Sequence, residues 1–167
     1  MSNQNTPNLT ELKEKLEIEI PPAAAELADA AKEKILERAL REGWSPSQAE
    51  WLYKLALEPL FQAVSDGKGG LEALEEAYSV ARRKLSVGYF NNALNEGKNR
   101  YTAFLTVVDL EKQVAERRGA PVPEYPDSVL LPACRAVEEA ASRGLSSDEQ
   151  VAIGYEVIRK LSEQPFN

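Results

Sequence analysis

Residues 71–85 read Leu71-Glu72-Ala73-Leu74-Glu75-Glu76-Ala77-Tyr78-Ser79-Val80-Ala81-Arg82-Arg83-Lys84-Leu85. Leu71, Leu74, Tyr78, Ala81 and Leu85 are separated by steps of 3, 4, 3 and 4. At this spacing one side of a helix carries an apolar stripe, the a/d seam by which helix packs on helix. Gly88 stands where the next seam residue would fall, so the helix is expected to kink there or to admit a close neighbour. The pattern runs on through Tyr89, Phe90, Ala93 and Leu94, and Gly97 closes it. Upstream, Asp66-Gly67-Lys68-Gly69-Gly70 is the clearest turn in the chain.

The flanking segments repeat the same grammar. Towards the C-terminus, Ala103, Val107, Leu110 and Val114 predict a helix over about Asn99 to Arg118, ended by Gly119. Pro121, Pro123 and Pro126 then impose an extended stretch. A helix is expected from about Ser128, with Pro132 in its first turn and Gly144 at its end. Ser146 and Glu149 form a capping box for a last helix, which carries the apolar rows Val151, Tyr155, Ile158 and Ile153, Val157, Leu161. Towards the N-terminus, Pro21-Pro22 open a helix with Leu27, Ala31 and Ile35 on one face, and Gly43 ends it. Ser45, Pro46 and Gln48 start the next helix, which Pro59 is expected to kink or break near Leu57 to Pro59. Leu9, Leu12 and Leu16, followed by the alternation Leu16, Ile18, Ile20, suggest a short helix or extended arm. The expected architecture is all-α: a compact bundle of six to seven helices joined by short Gly/Ser-capped corners. It comprises an arm over residues 1–20 and a single domain over 21–167.

Two corners echo one another: Ala39 to Ser45 and Ala140 to Ser146 each run helix, glycine, apolar residue, serine, helix. The spacing resembles the turn of a DNA-binding helix-turn-helix. The helix after Trp44 has no Arg or Lys before Lys54, and the helix after Leu145 opens with Asp148 and Glu149, which repel phosphate. A structural corner between two helices is the expected reading.

Composition narrows the chemistry. The 167 residues contain no histidine, one cysteine (Cys134) and one methionine. His-based triads, His-containing zinc or di-iron sites, CxxC motifs and intrachain disulfides are therefore excluded. Asp66 to Gly70 lacks the spacing of a phosphate-binding loop and the alternating ligands of a calcium loop. Adjacent carboxylates at Glu75-Glu76 and Glu138-Glu139 project about 100° apart on a helix. Cys134 sits among Pro132, Ala133, Ala136 and Val137 and reads as a small buried hydrophobe. No cofactor and no metal are expected. Residues 1–8 are polar with no apolar run after them, and no stretch reaches the roughly 18 apolar residues of a membrane span, so a cytoplasmic protein is expected.

The net charge of −7 disfavours general nucleic-acid binding. The charge is uneven, however: residues 67–119 carry 9 bases against 7 acids, whereas both flanks are acidic. That middle third holds Arg82-Arg83-Lys84 and a stretch of mixed aromatics, asparagines and bases, from Tyr89 to Tyr101. Aromatics interleaved with Arg and Asn suit a partner's backbone or a single nucleic-acid strand; basic residues near helix ends and asparagine terminators account for the same pattern structurally. The candidate partner-binding residues are Arg82, Arg83, Lys84, Tyr89, Phe90, Asn91, Asn92, Asn95, Lys98, Arg100 and Tyr101. The expected function is non-enzymatic protein–protein interaction or assembly, with a protein partner or a second copy of the chain, through a helical surface. The alternatives are a nucleic-acid-associated subunit using the 82–101 face, and a His-independent enzyme or small-molecule binder in the helical core.

Overall fold

The computed structural model describes residues 25–163. Among them are six helices and no strand: α1 (Ala25–Glu42), α2 (Pro46–Ser65), α3 (Gly70–Asn95), α4 (Arg100–Arg117), α5 (Asp127–Ser142) and α6 (Ser147–Glu163). The arm over 1–20 and the Pro21-Pro22 helix start lie outside the described residues. No helix among the described residues is long and apolar enough to cross a membrane.

The seam that opened the sequence reading lies on α3. Tyr78, Ala81 and Leu85 are buried and Leu74 packs against the same core, but Leu71 is 78% exposed. Leu71 is the second residue of α3, where the chain is still leaving the Asp66–Gly69 turn, so the seam begins one turn late. The helix is 26 residues long and passes through Gly88 without interruption.

Of the kink or break expected near Leu57 to Pro59, the break does not occur. α2 is continuous over 20 residues with Pro59 inside it. Leu55, Ala56 and Leu57 before the proline and Leu60 and Ala63 after it are all buried in one core. An interior proline costs about 3 kcal/mol, whereas a fully buried leucine contributes roughly 1.5–3 kcal/mol. Three leucines on both sides of Pro59 therefore outweigh the lost hydrogen bond. Pro132 also sits differently: α5 begins at Asp127, which puts Pro132 in the second turn rather than the first.

Two cores form. The first gathers α1, α2, the first half of α3, and Leu110 and Val114 of α4. The second gathers Val87, Phe90 and Ala93 of α3, Ala103 to Val108 of α4, and the apolar faces of α5 and α6. The early residues of α3 thus meet the late residues of α4, and the reverse, so the two helices run antiparallel as a shared spine.

Five helices end alike. Glycines with positive φ at Gly43, Gly67, Gly97, Gly119 and Gly144 follow α1 to α5. At the first, Gly43 N–H donates to Leu40 O at 3.1 Å and Trp44 N–H to Ala39 O at 3.0 Å, the paired bonds of a Schellman turn. Gly144 and Leu145 repeat this onto Ala141 and Ala140. Gly43 carries a second constraint. A Cβ built there would lie 2.1 Å from the carbonyl oxygen of Val114, so the α1–α2 corner rests directly on the α4 backbone. Gly97 has a φ of +90° and open space around it.

Two substitutions separate these effects. Gly97→Ala bears only the left-handed backbone cost of about 1–2 kcal/mol. Gly43→Ala adds a backbone collision, with an expected total of about 3 kcal/mol or more. Urea unfolding followed by far-UV circular dichroism measures both; equal losses would show that the corner does not depend on its contact with α4.

Candidate functional site

Opposite sides of α3 face different surroundings at its two ends. Tyr78, Ala81 and Leu85 point into the first core. Arg83, Val87 and Phe90 lie on the other side, at about two turns' spacing. Near the C-terminal end that side is covered: Val87 and Phe90 belong to the second core. One turn earlier it lines a groove of about 850 Å³ to which α5 contributes no residue and the start of α6 a wall, with the charges of Lys84 and Arg83 acting on Asp148.

The walls of the groove come from α3 (Ser79 to Val87), α4 (Val107 to Arg118), the start of α6 (Asp148 to Tyr155) and the α1–α2 corner (Glu42 and Trp44). Its lining includes Val80, Val87, Val107, Leu110, Val114 and Val151, while Arg82, Arg83, Lys84 and Arg118 are interspersed with Glu42, Glu111, Asp148 and Glu149. Many of these charges already have local roles. The Arg82 guanidinium lies 5.3 Å from the Tyr78 ring centre, with Arg38 at 4.3 Å. The Tyr78 hydroxyl donates to Glu42 Oε1 at 2.7 Å, while Arg38 binds Glu42 Oε2 at 3.2 Å. Arg118 Nη1 reaches the backbone carbonyl of Glu42 at 3.4 Å, and Arg117 Nη1 that of Gly43 at 3.5 Å. These cations lie where the α1 macrodipole is negative. Burial raises the pKa of Asp148, and the charges of Lys84 and Arg83 oppose that rise.

Beside the groove, Glu111 gathers two tyrosines. Tyr125 donates to Glu111 Oε1 at 3.3 Å. Burial and the same carboxylate push both phenols up, Tyr125 to about 12 and Tyr155 further. The Glu111 carboxylate is hydrogen-bonded by Tyr125 and by Tyr155. The buried Trp44 Nε1 has no hydrogen-bond partner among the described residues, which costs about 1–3 kcal/mol.

The structure does not bring the sequence-predicted residues onto one face. Arg82, Arg83 and Lys84 line the groove. Phe90 and Asn91 are 0% and 2% exposed and belong to the interior. The Ser147 hydroxyl donates to Asn91 Oδ1 at 2.6 Å, fastening α6 to α3. Tyr89 packs against the first core, and its hydroxyl accepts from Gln48 Nε2 at 3.2 Å. Gln48 Oε1 also takes the Ser45 N–H at 2.9 Å and Arg117 Nη1 at 3.0 Å. Gln48 therefore closes the expected capping box and joins α2 to α3 and α4. Asn92 is half-buried; Asn95 and Lys98 are exposed at the α3–α4 turn, where Lys98 pairs with Glu96 at 3.5 Å. Arg100 is exposed and its Nε donates to Gln150 at 3.2 Å, and Tyr101 packs against the second core.

The helices that follow the two glycine corners each pack one face into the interior. α2 buries Gln48, Ala49, Leu52 and Tyr53 in its first two turns, and α6 buries Ser147, Gln150 and Val151. Among the described residues no three His, Cys, Asp or Glu side chains form a group that could hold a metal ion. Sequence reading missed Glu111, Tyr155 and Arg118 as groove residues, and took Trp44 only for a helix-end staple. No local pattern links them, because they come from separate helices.

Two predictions follow from the buried groups. Asn91→Ala should cost about 1–3 kcal/mol by stranding the Ser147 hydroxyl, read by chemical denaturation; a change below about 0.3 kcal/mol would mean that this bond does not hold α6. Burial also pushes Cys134 up to about 11, with Tyr78, Tyr125 and Tyr155 raised as well. Above about pH 9 the unfolded chain therefore holds fewer protons than the folded one, and stability falls as pH rises from the unfolded values towards the folded ones. Thermal melting should show Tm level near neutrality and dropping from about pH 9–10 upward. Iodoacetamide should reach Cys134 rapidly only once the protein is unfolded. Comparison of the chain with protein-family models, curated proteins and solved structures finds no match.

Proposed function

We propose that the protein is a non-enzymatic, cytoplasmic interaction or assembly protein whose contact surface is the groove between α3, α4, α6 and the α1–α2 corner. The observation that carries this reading is the groove itself, walled by α3, α4, the start of α6 and the α1–α2 corner, with valines, a leucine and charges of both signs in its lining. A concave site between helices with mixed apolar and polar walls is where a ligand or another chain most often docks. Charges of both signs around the groove suit a partner held in one register rather than a uniformly charged polymer. Of the basic run, Arg82 to Lys84 supply part of this surface, while Phe90 and Asn91 support it from the interior.

Ala152 and Ser79 line the groove from opposite walls, and neither is buried. Ala152→Arg and Ser79→Arg should each abolish co-purification of a protein partner from native extract, or self-association seen by size-exclusion with light scattering. Leu131→Arg, on an exposed position that does not line the groove, should leave both intact. A strict monomer that captures no protein, or a partner retained by both groove variants, would overturn the proposal. So would salt-dependent capture of nucleic acid that is lost on charge reversal at Arg82 and Arg83.

A further inference from the structure

The connection between α4 and α5 reads Ala120-Pro121-Val122-Pro123-Glu124-Tyr125-Pro126 and forms neither helix nor strand. Its own sequence restrains its backbone. Pro121, Pro123 and Pro126 have φ locked at about −65°. Ala120, Val122 and Tyr125 each precede a proline, which disfavours the α region and holds them extended. Glu124 alone is under neither restraint. Among the described residues there is no cis peptide bond and no residue other than glycine with positive φ, and Pro126 has φ −71° and ψ 165°. The run is therefore a polyproline II segment, with about three residues per turn and about 3.1 Å per residue.

Both ends of the segment are fixed. Ala120 N–H donates to Ala115 O at 3.0 Å, in the turn that ends α4. Pro126 O accepts from the N–H groups of Val129 and Leu130 at 2.9 and 3.0 Å, in the first turn of α5. Near the second end the Tyr125 hydroxyl is held by Glu111 of α4. Among the described residues no backbone–backbone hydrogen bond involves residues 121–125, as expected of polyproline II, whose backbone is solvated. Pro121, Val122, Glu124 and Pro126 are exposed, Val122 at 41%. The fold thus stretches an extended rod between two helix ends and leaves proline rings and a valine in solvent.

We infer that residues 120–126 are a docking surface for a protein partner that reads polyproline II through a groove lined with aromatic side chains. Flat aromatic walls fit the ridges of such a rod, and its unpaired carbonyls accept from indole N–H and phenol O–H groups. The rod is ordered before it binds, so docking costs little further chain entropy. Other classes of partner fit less well. A partner adding a β-strand needs N–H donors at alternate positions, and Pro121 and Pro123 remove two of them from one edge. A nucleic acid would meet Glu124 and Asp127, with no Arg or Lys between Ala120 and Asp127. This surface is separate from the groove, and the inference stands on the segment alone.

Site-specific photo-crosslinking in native extract tests it. In the full-length chain Glu124 is replaced by p-benzoylphenylalanine, which leaves the prolines and Val122 in place. A control carries the same replacement at Leu131, exposed on α5. Synthetic decaproline, a polyproline II rod with no other side-chain chemistry, is the competitor, and a Gly/Ser peptide of equal length is its control. The expected result is a protein adduct specific to position 124, mapped by mass spectrometry to a site lined by Trp, Tyr or Phe. Decaproline should remove it and the Gly/Ser peptide should not. Val122→Asp should abolish it, and Pro121→Ala should lower its yield roughly two- to fivefold by releasing one pre-set φ. Both variants should keep the far-UV circular dichroism of the parent. The inference fails if position 124 gives no adduct beyond that at Leu131, if decaproline does not compete, or if the mapped site has no aromatic residue. The competition arm needs no change to the segment's prolines, so it decides the matter even where a variant unfolds.

Discussion

Helix α3 has to bury opposite sides at its two ends. It turns Tyr78, Ala81 and Leu85 towards the core shared with α1 and α2, and Val87 and Phe90 on the other side towards the core shared with α5 and α6. α4 runs antiparallel beside it and makes the reciprocal exchange. The two helices therefore form a spine with one helical pair mounted on each end, on opposite sides. Everything else follows from that offset. Between the α1–α2 corner and the start of α6 the side of the spine is walled but not filled, and that length is the groove.

The mounting is made by backbone contacts and a few polar bonds more than by bulk. The α1–α2 corner sits on α4 at Gly43, where no Cβ fits, and is tied there by Gln48, Arg117 and Arg118. The α5–α6 corner is tied by Asn91 to Ser147 and by Arg100 to Gln150. α6 approaches α4 closely as well: a Cβ at Gly154 would lie 2.5 Å from the Phe104 ring, which already meets Tyr155 edge-on. At the α1–α2 corner a glycine allows the approach and the buried Gln48 amide sets the orientation, a combination that favours one docking geometry over a range of them.

Helix identity and helix ends were legible at short range. The seam over Leu74 to Leu85, the Ser45–Gln48 and Ser146–Glu149 capping boxes, and the glycine stops at Gly43, Gly97, Gly119 and Gly144 all depend on residues within one or two turns of each other. That α2 continues through Pro59 was not legible, because the cost of the proline is local, whereas the leucines that hold α2 together around it gain their energy from other helices of the first core. Leu71 was misread for the converse reason, since its spacing is right but nothing in the fold reaches it. The candidate interface was legible only in part. Arg82 to Lys84 lie on the groove, yet Phe90 and Asn91, a turn or two further along the same helix, are sealed by α5 and α6.

Local sequence is enough to make this chain helical, to terminate its helices and to exclude histidine chemistry, because periodicity, capping and composition act within a few residues. It is not enough to say which side of α3 is covered at which end. That depends on how two helical pairs separated by some fifty residues or more of chain dock on one spine, through contacts such as Gly43 against Val114 that have no signature at either position alone. The groove exists only once that docking is complete.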